Sequence, residues 1–346
     1  MPKATKPTAP HASVIVVTHN SSPYIRDCLT SVFQQQYRPG FEVIVVDSAS
    51  TDTTRDIVRS RFKKAHLIES KNRGFGAANN LGVKHARGKI VAFANPDTVA
   101  EQYWLAELAA PLTTRGTITT SQVLLMSSPS RINTLGLSLH FMGLSFVRGL
   151  DRPAIDAEPG EVPGFSGAAF AMRRDDYRRL NGFDEEIFLY GEDAELSWRA
   201  RREGFRILGV PKSRIRHHYR LRMDAKKLYH LERSRLLLLR KSLNPAQKFL
   251  YAPSIGLSRA MVSAYARRYG YDGRDAIRRA RKEAKDVHKA PKSGTAIRSF
   301  ARRTIPFSTA FPESAAARRF GFLANVVYWL NSPLPRKHPK WLRAPR

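Results

Sequence analysis

A chain of 346 residues with 42% hydrophobic composition has enough apolar material for a large buried core, which excludes a disordered protein. A formal charge of +30 brings self-repulsion with no benefit to the fold, so it points to an anionic partner: nucleic acid, anionic lipid or a phosphorylated substrate. The excess is uneven, about +5 over residues 1–110, about +8 over 111–244 and about +17 over 245–346, so the motif-bearing part is only mildly basic.

Residues 1–12 carry Lys3 and Lys6 and read as a flexible lead-in. The apolar run Val14–Val17 is far too short for a signal sequence or membrane span. Ser13–Thr18, Glu42–Val46, His66–Ile68 and Lys89–Phe93 have strand character. Pro23–Gln35, Asp52–Phe62 and Gly76–Ala86 between them have helical periodicity. This alternation predicts an α/β fold, a mostly parallel nucleotide-binding sheet flanked by helices. The lone cysteine, Cys28, excludes an intramolecular disulfide and reads as a small buried hydrophobe, with a reducing compartment the simplest inference.

In such sheets ligands bind beyond the carboxyl ends of the strands. Polar residues gather there: Thr18-His19-Asn20, the segment Asp47 to Asp52, and Asn95-Pro96-Asp97. Asp47 is placed for a ribose or base, the alternative being a polar turn, and Asp52 reads as a helix cap. Asn72 to Asn80, with Gly74 and Gly76 ahead of a helix, is either a phosphate-receiving turn or an ordinary flexible one.

Farther on, Gly191-Glu192-Asp193 opens a helical run, Ala194–Arg202. On a helix Asp193 shares a face with Leu196 and Ala200, whereas Glu192, Glu195 and Arg199 lie on another side, so Asp193 is expected to point inward. An inward carboxylate can serve as a general base, a role that contributes roughly a hundredfold to ten-thousandfold in rate. Trp198 reads either as a stacking surface for a ligand or as core. A strand, Arg206–Val210, leads to Arg216-His217-His218-Tyr219, where the histidines suit a metal, a phosphate or solvent.

Val16-Val17-Thr18-His19-Asn20, Val45-Val46-Asp47-Ser48, Asn72-Arg73-Gly74-Phe75-Gly76, Asn95-Pro96-Asp97, Ser166-Gly167-Ala168-Ala169, Gly182-Phe183-Asp184-Glu185 and Gly191-Glu192-Asp193 together resemble the family 2 glycosyltransferases of GT-A fold, especially their rhamnosyltransferase-like branch. The resemblance covers about residues 13–240. It implies an inverting hexosyltransferase that uses a nucleotide-sugar donor. Residues 13–112 would form the donor half, with Thr18, Asn20, Asp47, Asn72, Gly74, Asn80 and Asn95 as donor contacts. Residues 113–244 would form the acceptor and catalytic half, with Asp193 as general base and Gly167, Asp184, Glu192 and Trp198 toward the acceptor. Asp97 and His217, or His218 in its place, would hold a divalent metal, Mg2+ or Mn2+, and Arg73 would help offset the diphosphate charge. Where the familiar motif has aspartate at both ends this chain has Asn95, which weakens the metal site by one anionic ligand.

Beyond these motifs, Leu228–Leu243 and Phe249–Tyr269 read as helices mixing aliphatic groups with Arg259, Arg267 and Arg268. With Phe320–Trp329 and Arg336–Trp341 they give residues 245–346 the look of a region lying on an anionic membrane surface, the alternative being a solvated basic tail. The run Phe320–Leu330 is interrupted and too short to span. The expected setting is the cytoplasm, peripheral on the inner face of the cell membrane, with a glycan or lipid-linked acceptor. Nucleic acid is a rival partner of a different class and is not favoured, and a non-catalytic nucleotide-sugar-binding module is the third reading.

Overall fold

The computed structural model describes residues 10–140, 142–219 and 223–286. Expectations for residues 1–9, Phe320–Leu330 and Arg336–Trp341 lie outside the described residues.

The first part alternates as its apolar pattern predicts: β1 (Ala12–Thr18), α1 (Ile25–Phe33), β2 (Phe41–Ser48), α2 (Thr54–Arg61), β3 (His66–Ser70), α3 (Phe75–His85) and β4 (Ile90–Ala94). Then come β5 (Thr98–Ala100), α4 (Trp104–Ala109), β6 (Thr117–Leu125), β7 (Ser128–Thr134), β8 (Leu137–Leu139), β9 (Ser145–Val147), β10 (Gly160–Glu161), β11 (Ala169–Arg173) and α5 (Arg174–Arg179). The described chain closes with α6 (Glu192–Arg202), β12 (Arg206–His217), α7 (Ala225–Ser242), α8 (Pro245–Leu250), α9 (Ala252–Ala266) and α10 (Gly270–Asp286).

One mixed, mostly parallel sheet runs β10-β12-β6-β11-β4-β1-β2-β3, with β5 beside β12 and β7 beside β6. β1 pairs in parallel with β2 and β4, and β2 with β3, which suits continuous Val/Ile runs buried on both faces. β11 is antiparallel between β4 and β6. Alternate residues of β1 feed the two faces of the core. Val14 and Val16 pack with Leu29, Trp104 and Leu108 on one side. Ile15 and Val17 pack with Phe93, Phe170 and Leu196 on the other. Helices therefore cover both faces, and the strand ends are left for ligands.

Residue 244 is not a break in packing. α8 opens with a reciprocal cap in which Asn244 Oδ1 accepts from Gln247 N at 2.8 Å and Gln247 Oε1 accepts from Asn244 N at 3.0 Å. Leu228 of α7 packs with Val262 and Ala266 of α9 and Ile277 of α10. Beneath them Arg235 forms a buried ion pair with Glu232 at 2.7 Å, and also donates to Ser258 Oγ at 3.1 Å. Residues 245–286 are thus docked on α7 rather than trailing from it. No helix among the described residues is long and apolar enough to cross a membrane.

Candidate active site

The carboxyl ends of β1, β2 and β4 set the floor of the site. Thr18 Oγ1 donates to Asp47 Oδ2 at 2.9 Å, and Ser50 N donates to Asp47 Oδ1 at 3.0 Å. Thr18 and Asp47 are 0% and 1% exposed, so these two expected donor contacts lie beneath the surface they shape. What they present is the turn at Asn20 and the loop 48–52. Asn20, at φ 51°, accepts from Thr51 N at 2.8 Å and donates its own amide to Ser50 Oγ at 2.9 Å. Asp52 accepts from Thr54 N and Ser22 N, each at 3.0 Å, but it stands one residue before Thr53, the N-cap of α2, so it braces the turn into the helix instead of capping it as expected. Its burial favours the neutral acid, but these hydrogen bonds outweigh that and bring its pKa down to about 2.

The turn before α3 differs from a phosphate cradle. Gly74 N donates to Asn72 Oδ1 at 3.1 Å and Phe75 N donates to Phe188 O at 3.0 Å, so its leading amides are already taken. Asn80 is also spent within the protein. It donates to Phe183 O at 2.9 Å and accepts from Phe183 N at 2.9 Å and Tyr177 Oη at 2.6 Å. These bonds pin α3 to the 182–185 turn. Arg73 is paired with Glu185 at 2.9 Å, and Asp184 with Lys241 of α7 at 2.5 Å. Neither is free in this structure for the diphosphate or acceptor.

β4 ends at Asn95-Pro96-Asp97, and β12 brings His217 against it, Nε2 3.3 Å from Asp97 Oδ1. His217 Nδ1 lies 3.0 Å from Asn133 Oδ1; a proton on Nδ1 leaves the Nε2 lone pair facing Asp97. The His218 ring lies tilted against Tyr24, with ring centroids 5.0 Å apart. Asp97 Oδ1 and Asn95 Oδ1 are buried without a hydrogen-bond partner. Two orphaned oxygens of one turn, one of them beside an imidazole, fit a hard divalent cation. Among the described residues no cluster of three or more His, Cys, Asp or Glu exists, so such an ion would need phosphate or water oxygens to complete its shell.

Across from it α6 begins at Gly191, whose φ of 92° only glycine adopts readily. Asp193 is partly exposed, and its Oδ2 accepts from Gly167 N at 3.0 Å while Oδ1 accepts from Ala194 N at 2.8 Å. One residue on, Ala168 O accepts from Asn95 N at 3.0 Å. The Gly167-Ala168 step therefore ties the carboxylate of α6 to the metal-motif turn. Desolvation pushes the Asp193 pKa up, against the pull of its amide donors. Glu192, by contrast, is buried, with Oε2 unpartnered. Burial and then the neighbouring Asp193 raise its pKa to about 8, its own backbone amide only partly opposing them.

Trp198 is 1% exposed among Leu137, Leu139 and Leu238, so it is core and cannot stack on an acceptor. The rings that do face outward are Phe188 and Tyr190, 38% and 37% exposed, and the sequence reading passed over them individually. Tyr190 takes φ 61° directly before Gly191, a conformation rare for an aromatic residue.

Residues 13–180 match the family model described as Glycosyl transferase family 2, and residues 157–224 match N-terminal domain of galactosyltransferase. Glycosyltransferase AglE of Haloferax volcanii is 38% identical over 104 residues, which is 28% of this chain and 34% of that protein, so the chain spans about a third of this relative's length. The crystal structure of GalNAc-T7 with UDP, GalNAc and Mn2+ superposes with a TM-score of 0.58 at 18% identity, covering 87% of this chain and 59% of that one. The mannosyltransferase PcManGT from Pyrobaculum calidifontis, in complex with GDP-Man and Mn2+, gives 0.52 at 20% identity over 93% and 88%. The sheet topology agrees with these GT-A structures, and residues 13–180 form a glycosyltransferase family 2 domain.

Proposed function

We propose that this chain is an inverting glycosyltransferase that moves a hexosyl group from a nucleotide-sugar donor to a hydroxyl of a lipid-linked or cell-surface glycan. The observation that carries this reading is the Gly167-Ala168 step, which joins the Asp193 carboxylate to the Asn95-Pro96-Asp97 turn through two 3.0 Å hydrogen bonds. The donor's nucleoside lies over the Asn20 turn and the 48–52 loop, shaped from below by Thr18 and Asp47. Asp193 accepts the acceptor's hydroxyl proton as its oxygen bonds to the anomeric carbon from the face opposite the leaving group. The bond to the phosphate oxygen breaks, and its electron pair leaves with the nucleoside diphosphate. Asp97, His217 and Asn95 would hold a divalent cation, which supplies charge stabilisation to that diphosphate. Protonated Glu192, beside Asp193, adds no second negative charge to the pocket.

The test is a panel of nucleotide sugars incubated with the protein and Mn2+ or Mg2+, read as nucleoside diphosphate release. Release from at least one donor, lost with EDTA, is expected. A protein that binds a nucleotide sugar but releases nothing with any acceptor is instead a binding module.

The outer face of α8 and α9 supports attachment to an anionic membrane surface. Phe249 of α8 is 86% exposed, and Leu257 and Arg259 of α9 and the following Arg267 and Arg268 are exposed as well. Sedimentation with anionic vesicles but not with neutral ones, reduced by Phe249→Ala, is the expected result; equal sedimentation with both lipids rejects it.

A further inference from the structure

Lys227 stands among aromatic rings rather than carboxylates. It lies in the first turn of α7, where its backbone amide donates to the capping Asp224 Oδ1 at 2.8 Å. Its side chain is half-buried, and among the described residues its ammonium forms no ion pair. Nζ instead lies 5.1 Å from the ring centroid of Tyr190 and 5.9 Å from that of Tyr219. Burial pushes the lysine pKa down, the nearby Asp224 only partly opposing it.

Those two rings locate Lys227 at the site. Tyr219 stands 5.8 Å from the His217 ring, and His217 faces Asp97. Tyr190 precedes Gly191-Glu192-Asp193 directly, and its hydroxyl pKa is pushed up by burial and then by the charges of Asp224, Glu192 and Asp97. Its backbone is left-handed, at φ 61°. A partly desolvated ammonium over two aromatic rings, one beside His217 and the other directly before Gly191-Glu192-Asp193, calls for an anionic ligand.

We infer that Lys227 is the protein's own cation for the diphosphate of the donor, held over Tyr190 and Tyr219 and contacting the phosphate oxygens when the nucleotide is bound. The inference rests on the glycosyl-transfer reading. Breaking the bond to the anomeric carbon puts a further negative charge on the diphosphate, and a fixed ammonium stabilises that charge without a metal. Such a group has particular use here, because Asn95 removes one anionic ligand from the cation motif.

Calorimetric titration of the full chain with UDP, GDP and pyrophosphate, each in EDTA and in Mn2+, tests this, with uridine and guanosine as controls. Lys227→Met is expected to weaken diphosphate binding about tenfold or more in EDTA, with nucleoside binding unchanged. Lys227→Arg should stay within about threefold of wild type, since it keeps the charge. Lys227→Gln gives the same readout should the Met variant be poorly folded, and each variant's melting temperature is measured alongside. Diphosphate binding in EDTA that is equal for wild type, Lys227→Met and Lys227→Gln overturns the Lys227 assignment alone. A wild-type protein that binds none of the three phosphates, with or without Mn2+, overturns it together with the glycosyl-transfer reading.

Discussion

Gly167 donates its backbone amide to Asp193 Oδ2 at 3.0 Å, and no side chain stands between the two residues. The contact fixes one carboxylate oxygen and supports the ionised form that a base needs. Asp193→Asn keeps the shape and removes the basicity. Transfer should fall roughly a hundredfold to ten-thousandfold while nucleoside diphosphate affinity stays near wild type. Full transfer by this variant, measured as diphosphate release, would end the assignment of Asp193 as base.

In the proposed site, three groups of unequal strength would set metal affinity. Asn95→Asp adds an anionic oxygen next to Asp97 and should tighten Mn2+ binding about tenfold in the presence of UDP. His217→Ala should weaken it by a similar factor, whereas His218→Ala, on the Tyr24 side, should leave it unchanged. Mn2+ titration calorimetry separates these outcomes; a stronger loss at His218 than at His217 would reverse the geometric ranking.

Glu192 holds its proton in the native state up to about pH 8, against an ordinary value of 4.5. Across that window the native chain binds more protons than the unfolded one, so the stability linked to Glu192 is complete below pH 4.5 and is lost as pH rises toward 8. Glu192→Gln, permanently neutral, should flatten this decline. Urea midpoints taken from pH 5 to 8 check it, and parallel curves for the two proteins would contradict the buried, protonated acid.

Gly74 lies at φ 97°, and a Cβ there would fall 2.3 Å from Phe188 O. Gly74→Ala should cost at least about 2 kcal/mol through backbone strain and the clash. Gly167→Ala puts its methyl at an ordinary 3.4 Å from Asp193 Oδ2 and should cost less than about 1 kcal/mol. Chemical denaturation of both variants provides the comparison.

Arg235 is 4% exposed and paired with a Glu232 that is 2% exposed. Arg235→Ala leaves that carboxylate with only the longer 3.4 Å contact to Arg281, and about 3 kcal/mol of stability should go with it. Combining Arg235→Met with Glu232→Gln removes both charges and should recover much of the loss. A double variant as weak as the single one would argue that packing, not charge, is what Arg235 supplies.

The parallel β1 to β4 region was legible in the sequence because strands buried on both faces read as unbroken Val/Ile runs, and the polar groups after them mark their ends. β11 was not legible as a partner of both β4 and β6, since Ala169–Arg173 is a short apolar segment whose neighbours are fixed by the whole sheet. Periodicity also failed for α6. A single inward face was expected, yet Glu192, Glu195, Ser197 and Trp198 are all buried, because the helix is enclosed on more than one side. The spent hydrogen bonds of Asn80, and the ion pairs of Arg73 and Asp184, depend on contacts across about a hundred residues or across α7, which no local motif encodes. Lys227 escaped notice for the same reason: its significance lies in what is missing around it.

Asn80 and Gly74 both clasp the 182–188 segment, one through paired hydrogen bonds to Phe183 and the other through backbone contact at Phe188. Anyone grafting specificity from a relative must therefore transplant residues 74–80 and 182–188 as one cassette, because either alone would arrive without the surface it was shaped to meet.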